Sequence, residues 1–309
     1  MDGIIVVDKP PDLTSAKLVS RVKRILKAEK AGHAGTLDPF ATGVMICLIN
    51  RGTRLAEFFL HGNKTYRATL CLGIETDTDD FTGNVVQTRE VRPGDYSETD
   101  IRSACGAFEG NIQQTPSCFS ALKHQGKPLY HYARKGIKVE KPPRPVHIFS
   151  LAVESINLPF IDFTVRCSAG TYIRTLCRDI GRVLGCGAHL TVLRRTEAGG
   201  FGLPDAAGLP ELEQLAAEGS AAGRLIGMSE ALRDMPAYVA DDGLAALVGH
   251  GRSLEEDTLP PDLPVDAGCC CKLVDGSGRL LAVIRRQGGT FRYGCVFPQA
   301  EKGRSPSPF

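Results

Sequence analysis

Between residues 32 and 43 the chain reads Gly-His-Ala-Gly-Thr-Leu-Asp-Pro-Phe-Ala-Thr-Gly. Three glycines and a proline allow a tight, exposed loop where the backbone can approach a ligand. Its flanks fix its place. Before it, Leu18, Val22, Ile25 and Leu26 recur at helical spacing over about 15–28, behind Thr14 or Ser15 as a cap. After it, residues 44–49 (VMICLI) form the apolar run of a buried strand. Asp38 therefore stands in a loop between a helix and a strand. Alone, an Asp-Pro pair is a turn former whose carboxylate caps nearby N–H groups. His33 alone is an ordinary loop hydrogen-bonding group.

The rest of the chain alternates less regularly. Residues 3–7 read as a short buried strand, and 64–73 as a half-buried one with Tyr66, Ala68, Leu70 and Leu72 on one face. Ser97 starts a helix to about 107. Residues 111–145, rich in Gln, Pro, Lys and Tyr, form an exposed excursion with a short helix near 127–135. Strands at 146–157 and 160–168, a helix at 172–184 and a strand at 188–198 follow. Helical stretches at 208–217 and 223–233 close the large domain, 1–235. Beyond Met235-Pro236, a helix near 241–249, an acidic Pro-rich stretch and strands at 270–275, 279–285 and 290–297 make a small β-rich domain, 236–300. The Pro/Ser-rich tail, 301–309, is expected to be disordered. The fold class is α+β, a mixed, largely antiparallel sheet flanked by helices. No G-x-G-x-x-G follows a strand and no P-loop is present, so dinucleotide and NTP chemistry lack support.

Charge adds a direction. The net charge is only +2, but Lys17, Arg21, Lys23, Arg24, Lys27 and Lys30 form one basic block. Lys123, Lys127, Arg134, Lys135, Lys138, Lys141 and Arg144 form a second, and Arg174, Arg178, Arg182, Arg194 and Arg195 a third. Segregated basic blocks suit a polyanion-facing side. The 11 cysteines form no C-x-x-C pair and read as reduced, mostly buried thiols. The chain has no apolar run long enough for a membrane span, and its opening lacks a secretory signal. A cytoplasmic protein without membrane attachment is expected, and a monomer, since nothing marks an interface.

The whole string from Gly32 to Gly43 resembles the loop motif of TruB-family pseudouridine synthases. Val7-Asp8-Lys9-Pro10, Lys64-Thr65-Tyr66-Arg67, Thr76-Asp77-Thr78-Asp79 to Gly83, and Gly170-Thr171-Tyr172-Ile173-Arg174-Thr175 resemble further family motifs. So do Leu184 to His189 and Leu193-Arg194-Arg195. Pro116-Ser117, Ser120 to Lys123, Gly126-Lys127 and Tyr130 to Arg134 look like the family's RNA-gripping insertion. The resemblance covers most of the large domain. It implies isomerisation of uridine 55 in the TΨC loop of tRNA, with no cofactor and no metal.

The resemblance also implies roles. Asp38 is the nucleophile, attacking base or sugar, paired with Arg174. Tyr66 offers a face for uracil and a phenol that can move a proton. Leu193 lines the pocket, and His33 fills the gap left by a flipped base. Lys9, Gly35, Thr36, Lys64 and Tyr172 complete the substrate-binding set. Lys23, Lys123, Lys127, Arg134 and Arg144 would contact the RNA backbone, and Tyr130 and Tyr132 could add stacking. Asp77, Asp79 and Asp80 invite a calcium-loop reading, but positions 6 and 12 hold Thr82 and Thr88, so a capped turn is expected. The C-terminal domain resembles a PUA-like RNA-binding barrel. The alternatives are a synthase acting on another or guide-selected RNA, and an RNA-folding chaperone.

Overall fold

The computed structural model describes residues 1–309 except 121, 134, 138, 140, 256–268, 288–289 and 299–309, and the side chains of Tyr130 and Glu255. Its large sheet contains β1 (Gly3–Lys9), β2 (Thr42–Ile49), β3 (Lys64–Leu72), β4 (Gly110–Gln114), β5 (Arg144–Asn157), β6 (Phe160–Cys167) and β7 (Ala188–Ala198). Short strands at Ala31–His33, Phe201–Gly202 and Ala207–Gly208 bring it to ten. The helices are α1 (Ser15–Ile25), α2 (Ala56–Leu60), α3 (Glu98–Gly106), α4 (Leu129–Ala133), α5 (Ile173–Val183), α6 (Leu209–Ala217), α7 (Met228–Ala231) and α8 (Asp242–Gly249).

Across the sheet the order is Ala207–Gly208, β1, β2, β7, β3, β6, β5, β4. All pairings are antiparallel except β1 with Ala207–Gly208 and β2 with β7. β1 over residues 4–7 and β2 over residues 44–49 are continuously apolar because both faces are covered. Ile5, Val7, Met45 and Cys47 pack on Leu18 and Val22 of α1 and Leu212 of α6. Ile4, Val6, Val44 and Ile46 pack on Leu55, Phe59 and the C-terminal strands. β3 and β6 keep the alternation of half-buried strands, and their inner face joins α5 in a third cluster.

β7 comes late in the chain yet inserts between β2 and β3. It meets β2 at only two positions, Arg194 beside Thr42 and Arg195 beside Gly43. Register then aligns one residue from each of five strands: Lys9, Gly43, Arg195, Tyr66 and Val165. Residues level with one another project to the same face. The loop preceding β2 lies over this row.

Most expected elements appear within a few residues of their expected bounds. The stretch 223–233 does not form one helix. It breaks into a 3₁₀ turn, Ala221–Arg224, and α7, because Gly223 and Gly227 weaken a continuous helix. The second sheet has five strands rather than three: Ala237–Val239, β8 (Cys270–Val274), β9 (Leu280–Gln287), β10 (Thr290–Val296) and Leu254–Glu255. The added strands are too short to alternate visibly. Ala237–Val239 and Leu254–Glu255 are the two edges of this order, so barrel closure is not seen among the described residues. The acidic stretch beyond Glu255 and the tail 301–309 lie outside the described residues. The C-terminal sheet adheres through Leu280, Val283, Cys295 and Phe297, which join the cluster of Leu55, Phe59 and Phe201.

Gly43 has φ +105°, and a Cβ there would lie 2.1 Å from the Arg195 carbonyl oxygen. Gly43→Ala should therefore destabilise the protein by on the order of 3 kcal/mol or more. Urea unfolding measures this, and a near-zero change would refute the close β2–β7 approach.

Candidate active site

The loop from Ala34 to Ala41 is held from beneath by two buried cations. Lys9 is fully buried, and its ammonium donates to the carbonyls of Pro10, Pro39 and Ala41 at 2.8, 2.8 and 2.6 Å. Three donors meet three acceptors, which offsets the cost of burying the charge. Burial pulls the Lys9 pKa down to about 8, with Asp12 and Asp38 pushing it back. Arg195 is the largest fully buried side chain among the described residues. It donates from Nε to Val44 O (2.7 Å) and from Nη1 to Thr36 O (3.2 Å). From the side, the Ser15 hydroxyl at the start of α1 accepts from Leu37 N–H (2.9 Å) and donates to Leu37 O (3.0 Å). Ala41 N–H closes the turn on Asp38 O at 3.1 Å.

So braced, the loop presents Asp38, whose side chain remains one-third exposed. Arg174, in the first turn of α5, meets it side-on, Nε to Oδ2 at 2.9 Å and Nη2 to Oδ1 at 3.2 Å. The same guanidinium donates to Thr78 O and Phe119 O, both at 3.0 Å, and lies 3.5 Å from the Asp80 carboxylate. It thus joins the loop, the acidic turn and the root of the 111–145 insertion. Burial raises the Asp38 pKa, Arg174 opposes this and Asp80 adds to it. The acidic turn is capped as expected. Asp80 Oδ1 accepts from Thr78 Oγ1, Thr82 N–H and Thr82 Oγ1, and Asp79 pairs with Arg178 at 3.2 Å.

Tyr66, Leu193, Leu37 and Ala41 form the apolar wall beside Asp38, in one cluster. Burial raises the Tyr66 pKa, and Arg195 opposes it. His33 ends the short strand paired to β2. It is half-buried, its Nδ1 has no partner, and burial followed by Arg195 pushes its pKa down. Gly35 turns the chain at φ +103° and Thr36 is exposed.

The other expected residues divide. The Lys64 ammonium is turned to Leu60 O (3.0 Å) and Gly62 O (2.6 Å), bracing the end of α2. Tyr172 precedes α5 and is locked to Gln114 through both backbone groups, at 2.8 and 3.0 Å. Arg144 stacks over the Tyr172 ring, 4.9 Å to its centroid, and donates to Gly170 O, so its guanidinium is not free on the surface. Lys23, Lys123 and Lys127 are exposed. Tyr132 is partly buried, donating to His124 O at 3.0 Å. Arg134 and the Tyr130 side chain lie outside the described residues.

The third basic block is not a surface block. Arg174 and Arg195 are buried, Arg178 pairs with Asp79 and Asp179, and Arg194 forks onto Asp8 at 2.7 and 3.1 Å. A charge tally treats every arginine as exposed, whereas these four are buried or held by carboxylates, and only Arg182 of the block is exposed. From sequence, Ser15 is a cap candidate, Asp80 part of a capped turn and Arg195 part of a basic block and a family motif, none of them a site residue, and Gln114 is not singled out. Arg195 carried a readable signal, since it lies two residues beyond inward-facing Leu193 on an alternating strand.

Comparisons agree with this architecture. A family model described as TruB family pseudouridylate synthase (N terminal domain) matches residues 23–173. A second, tRNA pseudouridylate synthase B C-terminal domain, matches 174–235. The tRNA pseudouridine synthase B of Syntrophus aciditrophicus is 43% identical over 92% of this chain and 91% of that protein. Its counterpart in Burkholderia mallei is 42% identical over 94% of each. Among solved structures, one titled archaeal box H/ACA sRNP Nop10-Cbf5 complex matches with TM-score 0.73 and 27% identity, covering 96% of this chain and 86% of that one. These matches define the class, an isomerase that forms pseudouridine. The chain belongs to the TruB family of pseudouridylate synthases.

Ser15→Ala removes both tethers of Leu37. We expect a loss of about 1–2 kcal/mol in stability, and a fall in turnover larger than any fall in RNA affinity. Thermal melting and single-turnover assays read the two effects. Unchanged turnover would show that the loop holds without α1.

Proposed function

We propose that the protein converts uridine 55 in the TΨC loop of tRNA to pseudouridine, acting alone. The observation that carries this reading is the ionic seat of Asp38: a carboxylate on a braced loop, gripped side-on by Arg174 and facing Tyr66 and Leu193. The relatives that share 42–43% of their residues with it over nearly full length carry the name tRNA pseudouridine synthase B. The chain from the archaeal box H/ACA sRNP Nop10-Cbf5 complex is less similar, at 27%. Both points favour a stand-alone tRNA enzyme.

The reaction exchanges one glycosidic bond for another. N1–C1′ breaks, C5–C1′ forms, the proton on C5 leaves and N1 ends with a proton, so the product is an isomer. Asp38 supplies the nucleophile that divides this exchange into easier steps. Arg174 keeps the carboxylate ionised and aimed. Tyr66 stacks on the uracil and accepts the C5 proton, and Leu193 closes the far side. The target must be flipped out of a folded RNA, and His33, whose pKa burial and Arg195 push down, fills the space it leaves. Lys9 and Lys64 act as braces, their ammonium groups being committed to carbonyls. Lys23, Lys123 and Lys127 meet phosphates, joined by Arg134 and, once freed from Tyr172, Arg144. The domains divide at 235/236, and the PUA-like sheet mainly braces the fold.

Three outcomes test this. Release of tritium from tRNA carrying 5-³H-uridine should approach one equivalent with the wild type and vanish with Asp38→Asn. The variant should still fold and bind tRNA, because Arg174 keeps Thr78, Phe119 and Asp80. Equal release by both would remove Asp38 from the chemistry. Turnover requires ionised Asp38, so it should fall on acidification through a pKa raised above the ordinary value of 3.8, and fail at higher pH than a solvated aspartate would. Binding should weaken steeply with salt, and Lys123→Gln with Lys127→Gln should flatten that dependence. A slope unchanged by those substitutions would exclude the insertion from phosphate contact.

A further inference from the structure

Arg195 has one nitrogen left over. Nε and Nη1 serve Val44 and Thr36, while Nη2 is buried without a hydrogen-bond partner. A buried unpaired guanidinium nitrogen carries a desolvation cost that native structures rarely leave unanswered. Its surroundings limit what it can answer to. Arg195 on β7 is the direct cross-strand neighbour of Tyr66 on β3, both on the inward face. The guanidinium lies close enough to interact with the phenol. We infer that Arg195 is a positioning residue for Tyr66: Nη2 donates to the phenol oxygen during the reaction and stabilises the phenolate form that receives the uracil C5 proton. This rests on the pseudouridine-forming reading and assigns that site a residue it did not include.

The charges around the phenol make the role specific. Arg195 faces it from β7, Cys167 from β6 and Asp38 from the loop. Burial disfavours the phenolate, and so does the carboxylate, while burial pushes the Cys167 thiol up to about 11 and keeps it neutral. Among these groups Arg195 alone favours it. Lys64, on the strand of Tyr66 itself, has its ammonium turned away to Leu60 and Gly62. Burial keeps the Tyr66 pKa above that of a free phenol even with Arg195 in place, and loss of Arg195 would raise it further. The proton balance is unaffected: Tyr66 takes the C5 proton as C5–C1′ is completed, and N1 gains a proton elsewhere in the cycle. The hydroxyl then releases its proton to solvent between turnovers.

Because Arg195 also holds the loop, the test must separate bracing from activation. Full-length wild type, Arg195→Gln and Arg195→Lys are compared by single-turnover pseudouridine formation on tRNA across pH. Melting and tRNA binding serve as folding controls. Arg195→Gln should lose about a hundredfold at neutral pH, with the alkaline-rising limb of its profile moved up by about one unit. Arg195→Lys keeps the charge and should keep the limb near its wild-type position, whatever its rate. Replacing Tyr66 by a fluorinated tyrosine of lower intrinsic pKa should restore at least about tenfold in Arg195→Gln and little in the wild type. Titration of ¹³C-labelled tyrosine in the free proteins gives an activity-independent readout, in which the Tyr66 signal should titrate higher in Arg195→Gln. Parallel pH profiles, no fluorotyrosine rescue and an unmoved Tyr66 titration would overturn the inference and leave Arg195 a loop brace, with the wild-type activity intact. A wild type that forms no pseudouridine on tRNA would instead sink the functional reading, and this inference with it.

Discussion

The positive charge buried under the loop is the constraint on which the site depends. The loop from Ala34 to Ala41, with Gly35 in a left-handed turn and Pro39, makes few backbone hydrogen bonds of its own, so its carbonyls need donors. Lys9 and Arg195 are cations that could not be buried without acceptors. Each satisfies the other: carbonyls of residues 36, 39, 41 and 44 receive the donors of the two side chains. Both cations stand on strands, level with one another and with Tyr66. The position of an irregular segment is thereby set by the most regular part of the molecule. A carboxylate proposed for covalent chemistry gains its aim from strand register rather than from loop rigidity.

Arg174 ties that platform to two segments far apart in sequence. Four of its N–H donors reach Asp38, Thr78 and Phe119, with Asp80 alongside. No lysine offers this geometry, since an ammonium lacks the planar fork. The insertion proposed to grip RNA is rooted at Phe119, one hydrogen bond from the carboxylate proposed to react. Movement of the insertion and alignment of Asp38 therefore share a side chain.

Much of this was legible in the sequence. The Gly32–Gly43 string marks the loop, helical spacing marks α1, and the alternation around Tyr66 marks a strand with one inward face. Ser97 marks the start of α3, which begins with a capping box. What stayed hidden depends on partners rather than on local pattern. Lys9 and Lys64 look like surface lysines until their carbonyl acceptors are in place. Arg174, Arg178, Arg194 and Arg195 read as one basic block, yet they fold onto carboxylates and carbonyls that arrive from β1, the loop and the acidic turn. The strands of two or three residues escaped because alternation needs more length to declare itself.

The joint between the two sheets bears on how the molecule comes apart. Phe297 lies under the guanidinium groups of Arg51 and Arg54, Arg51 donates to Pro298 O, and Lys272 reaches Ser229 O and Leu232 O. The same apolar cluster that backs β1 and β2 includes residues of β9 and β10. A shared core of this kind couples the two parts into one cooperative unit rather than two beads on a string. Changes in the C-terminal sheet would then be felt first as altered persistence of the whole enzyme in the cell, and only second as altered grip on RNA.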